Sequence, residues 1–387
     1  MKVAIISHSY PTKENPAQAT FIKEEAHLIS KINEVYLLLP TVYATPLQNQ
    51  YYRTLNPLEN DIDVSRFNYL SFPRKSLPSI TRWSLSRNLL KTLNRFKIDL
   101  VHLHWLFPSG LAVPSLKKAG KRTVLTIHGG DWYKNESNKT LKPFLDDTID
   151  NADKIICVGS KLLNDVALKY PEHESKLTHV PHGIDTSLFC STGADKKATA
   201  KKTLGWSSDK THLLCVANLY REKGVDLLLK AFSDLPDISD LHLHLISPQS
   251  NTEYANNVHQ IILENKLSSN ITFHTQSSHN DMPLYYQAAD LFISPSRREG
   301  FGLAVAESIS CGTPVLATKS GGPEEIVNRK CGILVDTDSH KSLKIGLEAI
   351  LDNLSGYDPE HMHSYIYKNF STLSKQKKLQ SIYKSIF

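Results

Sequence analysis

The chain has 387 residues, and 45 Lys and Arg against 39 Asp and Glu leave a net charge of +6. That length suggests two domains, each able to bury a core of its own, and 40% apolar with 22% charged residues is an ordinary globular balance. The small positive excess is too thinly spread to argue for nucleic acid, 17 glycines exclude collagen-like and linker-rich chains, and no apolar run of about 18 residues suggests a membrane-spanning helix.

The first apolar run, residues 3–7, reads as a strand, and residues 21–31 read as a helix. A second strand is expected over residues 35–39, ended by Pro40. Further apolar runs fall at 100–103, 123–127 and 154–158, each separated from the next by helix-length sequence. Continuous apolar runs alternating with helices predict a parallel sheet covered on both faces. The pattern then repeats, with runs at 213–217, 241–246, 271–273, 291–294, 314–317 and 333–335. Helices are expected between them at 225–232, 254–264 and 304–310. The seam between the halves is the polar, basic stretch 191–209. The expected architecture is α/β: a Rossmann-like domain over 1–190, a linker over 191–209 and a second Rossmann-like domain over 210–387, with the last helix able to pack back on the first domain. Open parallel sheets bind ligands at the carboxyl ends of their strands.

Five widely spaced cysteines without a CxxC pair fit a reducing compartment and offer no zinc or iron–sulfur framework. The N-terminal apolar stretch is too short for a secretory signal, so a cytoplasmic protein is expected. His102 and His104 alternate with apolar residues, as do His242 and His244. No carboxylate or third histidine follows at ligand spacing, so hydrogen-bonded histidines are expected rather than a metal site. Residues 80–97 are basic and amphipathic. A helix packed on the first sheet with a solvated basic face is the favoured reading, and peripheral contact with the inner face of the cell membrane is the alternative.

The most informative stretch is 294–322. An apolar strand enters the turn Glu299-Gly300-Phe301-Gly302, and a helix begins near Leu303. Glycines let a backbone approach a ligand, and a helix N-terminus offers unpaired N–H groups to an anion. Glu299 in the loop and Glu307 on the helix can address one bound molecule, and carboxylates accept hydrogen bonds from sugar hydroxyls. Glu307 lies in the otherwise apolar run LAVAESI, where a carboxylate needs a partner.

This segment resembles the signature of the retaining, GT-B fold glycosyltransferases of family 4. Glu299, Gly300, Phe301, Gly302, Glu307, Gly312, Thr313, Pro314, Val315, Gly321 and Gly322 all match. The likeness covers most of the chain. Residues 180–185 with Phe189 are similar to the family's domain-junction motif, residues 127–131 to its N-domain loop near the donor sugar, and Lys223-Gly224 to its phosphate-binding Lys-Gly. The resemblance implies two Rossmann-like domains facing each other across a cleft and a nucleotide-sugar donor, a UDP-sugar first and a GDP-sugar second. It implies a glycan or lipid-linked acceptor, as in bacterial surface polysaccharide biosynthesis, and no metal or other cofactor. By the same resemblance Glu299, Lys223 and His128 are the catalytic candidates: Glu299 holds the donor sugar, Lys223 neutralises the diphosphate, and His128 sits beside the sugar. Glu307 holds the ribose, and Gly300, Phe301, Gly302 and Leu303 contact sugar and diphosphate. The chain departs from the pattern at Asn218, a donor-binding candidate by position, where the family has an arginine on the diphosphate; Arg221 two residues before Lys223 either takes that place as a further donor-binding candidate or is a solvated surface arginine. It also departs at Ser247-Pro248-Gln249 and at residues 16–21, where the usual glycines are missing. The alternatives are a non-hydrolysing sugar-nucleotide epimerase on the same fold and a non-catalytic sugar-binding protein. A nicotinamide dehydrogenase is disfavoured because no G-x-G-x-x-G follows the first strand.

Overall fold

A computed structural model describes residues 1–13, 18–43, 59, 61–191, 194–247, 252–274 and 278–387. Pro16, Ala17, Pro248 and Gln249, positions in the segments that depart from the family pattern, lie outside the described residues. The chain divides into two compact units, Met1–Gly183 with Lys375–Phe387, and Ile184–Ser374.

The first unit is built on seven strands: β1 (Lys2–Ile6), β2 (Glu34–Val42), β3 (Asp63–Tyr69), β4 (Leu100–His104), β5 (Arg122–Ile127), β6 (Lys154–Cys157) and β7 (Leu177–His179). All pairs are parallel, in the order β3-β2-β1-β4-β5-β6-β7. Val3, Ile5, Leu37, Leu100 and Val124 supply the sheet's share of one core. Ile22, Ala26 and Ile29 of the Thr20–Ser30 helix pack on it, as do Leu379, Ile382 and Tyr383 of the Thr372–Lys384 helix. The two strands not expected, β3 and β7, are the sheet's edges. An edge strand escapes the demand for a continuous apolar run, and β3 reads DVSRFNY. Pro40 does not end β2. Leu38 accepts a backbone bond from Ser7, so Leu38 and Pro40 both turn toward β1, which ends at Ile6 opposite Leu38. The missing N–H of proline falls where no partner strand runs.

The second unit holds β8 (Thr211–Val216), β9 (Leu241–Ile246), β10 (Ile271–His274), β11 (Leu291–Ser294), β12 (Val315–Thr318) and β13 (Gly332–Val335). They are again all parallel, in the order β10-β9-β8-β11-β12-β13. Leu213, Leu228, Phe232, Leu243, Leu291, Leu316 and Leu347 lie at the centre of its core. In each sheet the strand order reverses once, between β1 and β4 and between β8 and β11, and the loops leaving those strands are where such sheets bind ligands.

The division between the units differs from the expected 1–190, 191–209 and 210–387. Residues from Ile184 onward already belong to the second unit: Ile184 exchanges backbone bonds with Phe370 and Thr372, and Ser310 donates to the Phe189 carbonyl. The stretch read as a linker contains a helix, Ala194–Leu204, whose Lys197 and Lys201 pair with Asp290 at 2.9 and 2.7 Å. Its charges answer a carboxylate 89 positions away from Lys201, which a local reading of polarity does not register.

Candidate active site

In the second unit, the loops leaving β8 and β11 are stitched into one body. Arg297 does most of the stitching. Its guanidinium meets both oxygens of Asp226 at 2.8 Å, the Arg221 carbonyl at 2.7 Å and Asp338 at 2.6 Å, while its backbone N–H donates to the Glu222 carbonyl. A bidentate guanidinium–carboxylate pair is among the stronger hydrogen-bonded contacts a protein makes. Burial opposes the charge on Asp226, yet Arg297 and the Tyr254 hydroxyl at 2.6 Å hold its carboxyl below the usual range. Gly224 has φ +68°, and a Cβ there would fall 2.0 Å from the Pro295 carbonyl oxygen, so only glycine lets the two loops meet.

The β11 loop is held from its other side by residues 320–322. Glu299 donates its N–H to the Ser320 carbonyl and accepts from Gly322 N–H at 3.0 Å. A Cβ on Gly322 would lie 2.1 Å from the Phe301 carbonyl oxygen. This clamp sets Glu299 beside Lys223, with Nζ donating to Oε2 at 2.5 Å. Both side chains keep a fifth to a third of their surface, which leaves the pair open to exchange partners.

Gly300 occupies the turn between Glu299 and Phe301, whose ring is buried against Phe370. Gly302 is the N-cap of the Leu303–Ser310 helix and, as glycine, has no side chain with which to cap it. The first-turn N–H groups, from Leu303 onward, are therefore available to an anion. Glu307, one turn further, is half-buried and accepts from the Tyr286 hydroxyl at 2.7 Å. Tyr286 is fully buried, and burial together with Glu307 drives its hydroxyl well above 10, so it remains a donor. Asn218 follows β8. Its carbonyl accepts from Tyr220, and its Oδ1 is buried with no hydrogen-bond partner among the described residues. Arg221 is exposed and contributes its carbonyl to Arg297. Lys223 and Glu299 are thus drawn together, and the loop that carries Glu299 leads into the helix that bears Glu307.

His128 lies in the first unit, just past β5. Its backbone N–H donates to Asp131 at 2.9 Å, and Leu106 N–H donates to the same carboxylate at 2.5 Å. Burial pushes Asp131 up to about 6 against the pull of these amides. The His128 ring is walled by Trp105, Phe21, His104 and His182, with centroids 4.3 to 5.4 Å away. Trp105 adopts φ +77°, a strained conformation for a bulky residue. Burial drives His128 and His182 well below 6.5 and lowers His104 to about 3. His102 and His104 do find a carboxylate, contrary to expectation. It comes from Glu25 on the first helix, 3.5 Å from His102 Nδ1 and 3.4 Å from His104 Nε2. The ammonium of Lys375 already pairs with Glu25, and both nitrogens of His102 meet hydroxyls, of Tyr383 and Thr126. His242 bonds Thr272, and His244 bridges His212 and His274 at 2.9 Å each. Residues 80–96 fall in the Pro78–Phe96 helix, with Lys97 its C-cap; the helix buries Leu85, Leu89 and Leu93 and exposes Trp83. No described helix is long and apolar enough to cross a membrane.

Residues 196–370 match the family described as glycosyl transferases group 1, and residues 26–188 match glycosyltransferase family 4. The chain belongs to this glycosyltransferase family. It is 24% identical to an uncharacterized glycosyltransferase of Methanocaldococcus jannaschii over 84% of this chain and 83% of the relative. It is 27% identical to a D-inositol 3-phosphate glycosyltransferase of Pseudarthrobacter chlorophenolicus over 76% and 73%. Among solved structures, Anabaena HepE in complex with UDP superposes over all of both chains with a TM-score of 0.78 at 17% identity, a likeness of fold. The two doubly wound sheets are those of a GT-B glycosyltransferase. Sequence reading of this glycosyltransferase missed Arg297, Asp226, Tyr286, Glu25 and Trp105. A tyrosine within the apolar MPLYYQA helix signals a buried hydroxyl needing a partner, but only the fold names Glu307 as that partner.

Proposed function

We propose that the enzyme is a retaining glycosyltransferase that uses a nucleotide-sugar donor, a UDP-sugar first, and works without a metal. The observation that carries this reading is the Lys223–Glu299 contact on the loop that leads into the Leu303–Ser310 helix, whose N-cap is glycine. A diphosphate needs positive charge that does not have to be assembled during the reaction, and an ammonium with oriented amides supplies it. Lys223 and the first-turn amides receive the diphosphate, Glu307 steadied by Tyr286 receives the ribose hydroxyls, and Glu299 turns from Lys223 to the donor sugar. As the bond from the anomeric carbon to the diphosphate oxygen breaks, Lys223 stabilises the departing charge. The acceptor oxygen bonds to the anomeric carbon on the same face, and its proton passes to the leaving phosphate. No protein base is needed, which suits a site whose carboxylates are committed to binding. A polyhydroxylated acceptor, a glycan or a lipid-linked sugar, completes the reading.

A melting-temperature screen against UDP, GDP, ADP and CMP tests the donor. A ligand at 100 times its Kd adds about 2.7 kcal/mol to stability, and failure of all four to raise the melting temperature overturns the reading. The anomeric configuration of the product, read by NMR, tests retention. Activity in excess EDTA tests the metal-free chemistry, and loss restored by magnesium or manganese refutes it. Conversion of donor alone into a new sugar nucleotide would identify an epimerase instead.

A further inference from the structure

The Pro78–Phe96 helix of the first unit has two unlike faces. Thr81, Leu85, Leu89 and Leu93 recur every fourth residue and are buried, which fixes the side that packs inward. Ser79, Trp83, Arg87, Lys91 and Arg95 recur with the same spacing, and all five are exposed. Side chains four apart are neighbours along a helix, so the five form one stripe. From Trp83 to Arg95 it runs about 18 Å.

The stripe carries charge that the protein does not answer. Residues 64–98 hold eight Lys and Arg and no Asp or Glu, although the whole chain is only +6, so the remainder of the chain is net acidic. Arg82, on the flank of the helix, pairs with Asp147 and lies over the Phe144 ring. Arg87, Lys91 and Arg95 have no carboxylate partner among the described residues. Trp83, at the start of the row, is 58% exposed, whereas Trp132 and Trp206 are buried. The Arg87 guanidinium lies 5.6 Å from the centre of its ring. Leu77, at the same end of the helix, is 50% exposed. A lone exposed apolar residue is ordinary. A tryptophan and a leucine heading a row of unpaired cations have the makeup of an interfacial anchor, whose ring lies among headgroups and whose cations meet anionic lipid.

We propose that this stripe docks the protein on an anionic membrane surface, with Trp83 entering the headgroup region and Arg87, Lys91 and Arg95 meeting lipid phosphates. A nucleic acid would also answer the charge, but it has no place for Leu77, which acyl chains cover. The docking goes beyond the donor reading and does not depend on it.

Co-sedimentation of the full-length protein with vesicles, with no donor present, tests the proposal. Mixed phosphatidylcholine–phosphatidylglycerol vesicles should carry the protein down, and pure phosphatidylcholine vesicles should not. Salt at about 1 M, where the Debye length is about 3 Å, should release most of it. Arg87→Glu with Lys91→Glu should weaken binding about tenfold or more. Lys377→Glu with Lys378→Glu makes the same change in net charge at exposed positions of the Thr372–Lys384 helix and should weaken it far less. Should a charge reversal disturb folding, seen as a lowered melting temperature, Arg87→Gln with Lys91→Gln asks the same question. Failure to bind mixed vesicles, or equal loss from the two pairs, overturns the docking face. Lipids brominated on their acyl chains should quench tryptophan fluorescence in the parent and spare it in Trp83→Phe, and quenching that survives the substitution overturns the anchor. Binding of a DNA duplex or a single-stranded RNA that Arg87→Glu with Lys91→Glu abolishes, with mixed vesicles left unbound, assigns the stripe to nucleic acid and overturns the proposal.

Discussion

The two regions that carry the candidate chemistry are built on opposite plans. The site of the second unit is made of short loops leaving adjacent strands, and its ionic pair, Lys223–Glu299, is partly exposed and can open to a ligand. The histidine wall of the first unit is closed. Its groups come from the first helix, β4, β5 and the last helix, and its imidazoles are buried and held neutral. One plan leaves charge partly exposed and available to a ligand. The other spends burial to fix the orientation of uncharged groups.

Four measurements can break or sharpen that comparison. The largest effect should be the acid sensitivity of the buried histidines. His102 is lowered to about 4 and His104 to about 3, so between these values and 6.5 the unfolded chain binds protons that the folded one refuses. Stability then rises with pH across that window and is lost on acidification, by about 2 kcal/mol per histidine at pH 5. Asp131, raised to about 6, works in the opposite direction and returns part of the loss. Melting curves from pH 7.5 to 5 should fall steadily, and a flat profile would show that the wall is wetter than its geometry implies.

Next comes Lys223→Ala, which should fold normally and lose roughly a hundredfold in kcat, because its ammonium faces charge that grows as the leaving group departs. Near-parental turnover at saturating donor would remove Lys223 from the site. A smaller change is expected for Tyr286→Phe. Losing its bond to Glu307 should weaken nucleotide binding about fivefold, the equivalent of a net hydrogen bond of about 1 kcal/mol, with kcat little changed. Titration calorimetry with the nucleoside diphosphate measures it. The smallest effect, and opposite in sign, belongs to Glu299→Gln. Glu299 competes with the diphosphate for Lys223, so the amide should leave nucleotide affinity unchanged or tighten it by a few-fold while transfer slows. Equal weakening by Glu299→Gln and Tyr286→Phe would mean that both act on structure alone.

Much of the second site was legible because it is local. The run from Glu299 to Gly322 carries its own strand, turn, helix start and return turn, and Gly224 and Gly322 are required by contacts within that fold. What escaped notice was the clamp beneath it. Nothing near Arg297 in the chain announces Asp226, 71 positions away, or the Arg221 carbonyl that Arg297 also meets. The polar helix at Ala194–Leu204 reads as a linker for the same reason, since the carboxylate it answers is distant.

Periodicity, apolar runs and a set of ordered motifs were enough to determine two doubly wound sheets and the family. Those features depend on spacing along one segment, and spacing is what a sequence records. Tertiary structure alone decided that Glu25 and Lys375, 350 positions apart, share one buried site with His104, and that the unit boundary falls at Gly183. A buried charge is tolerable only when folding delivers its partner, and which partner arrives depends on how the helices pack against the sheet rather than on any local pattern.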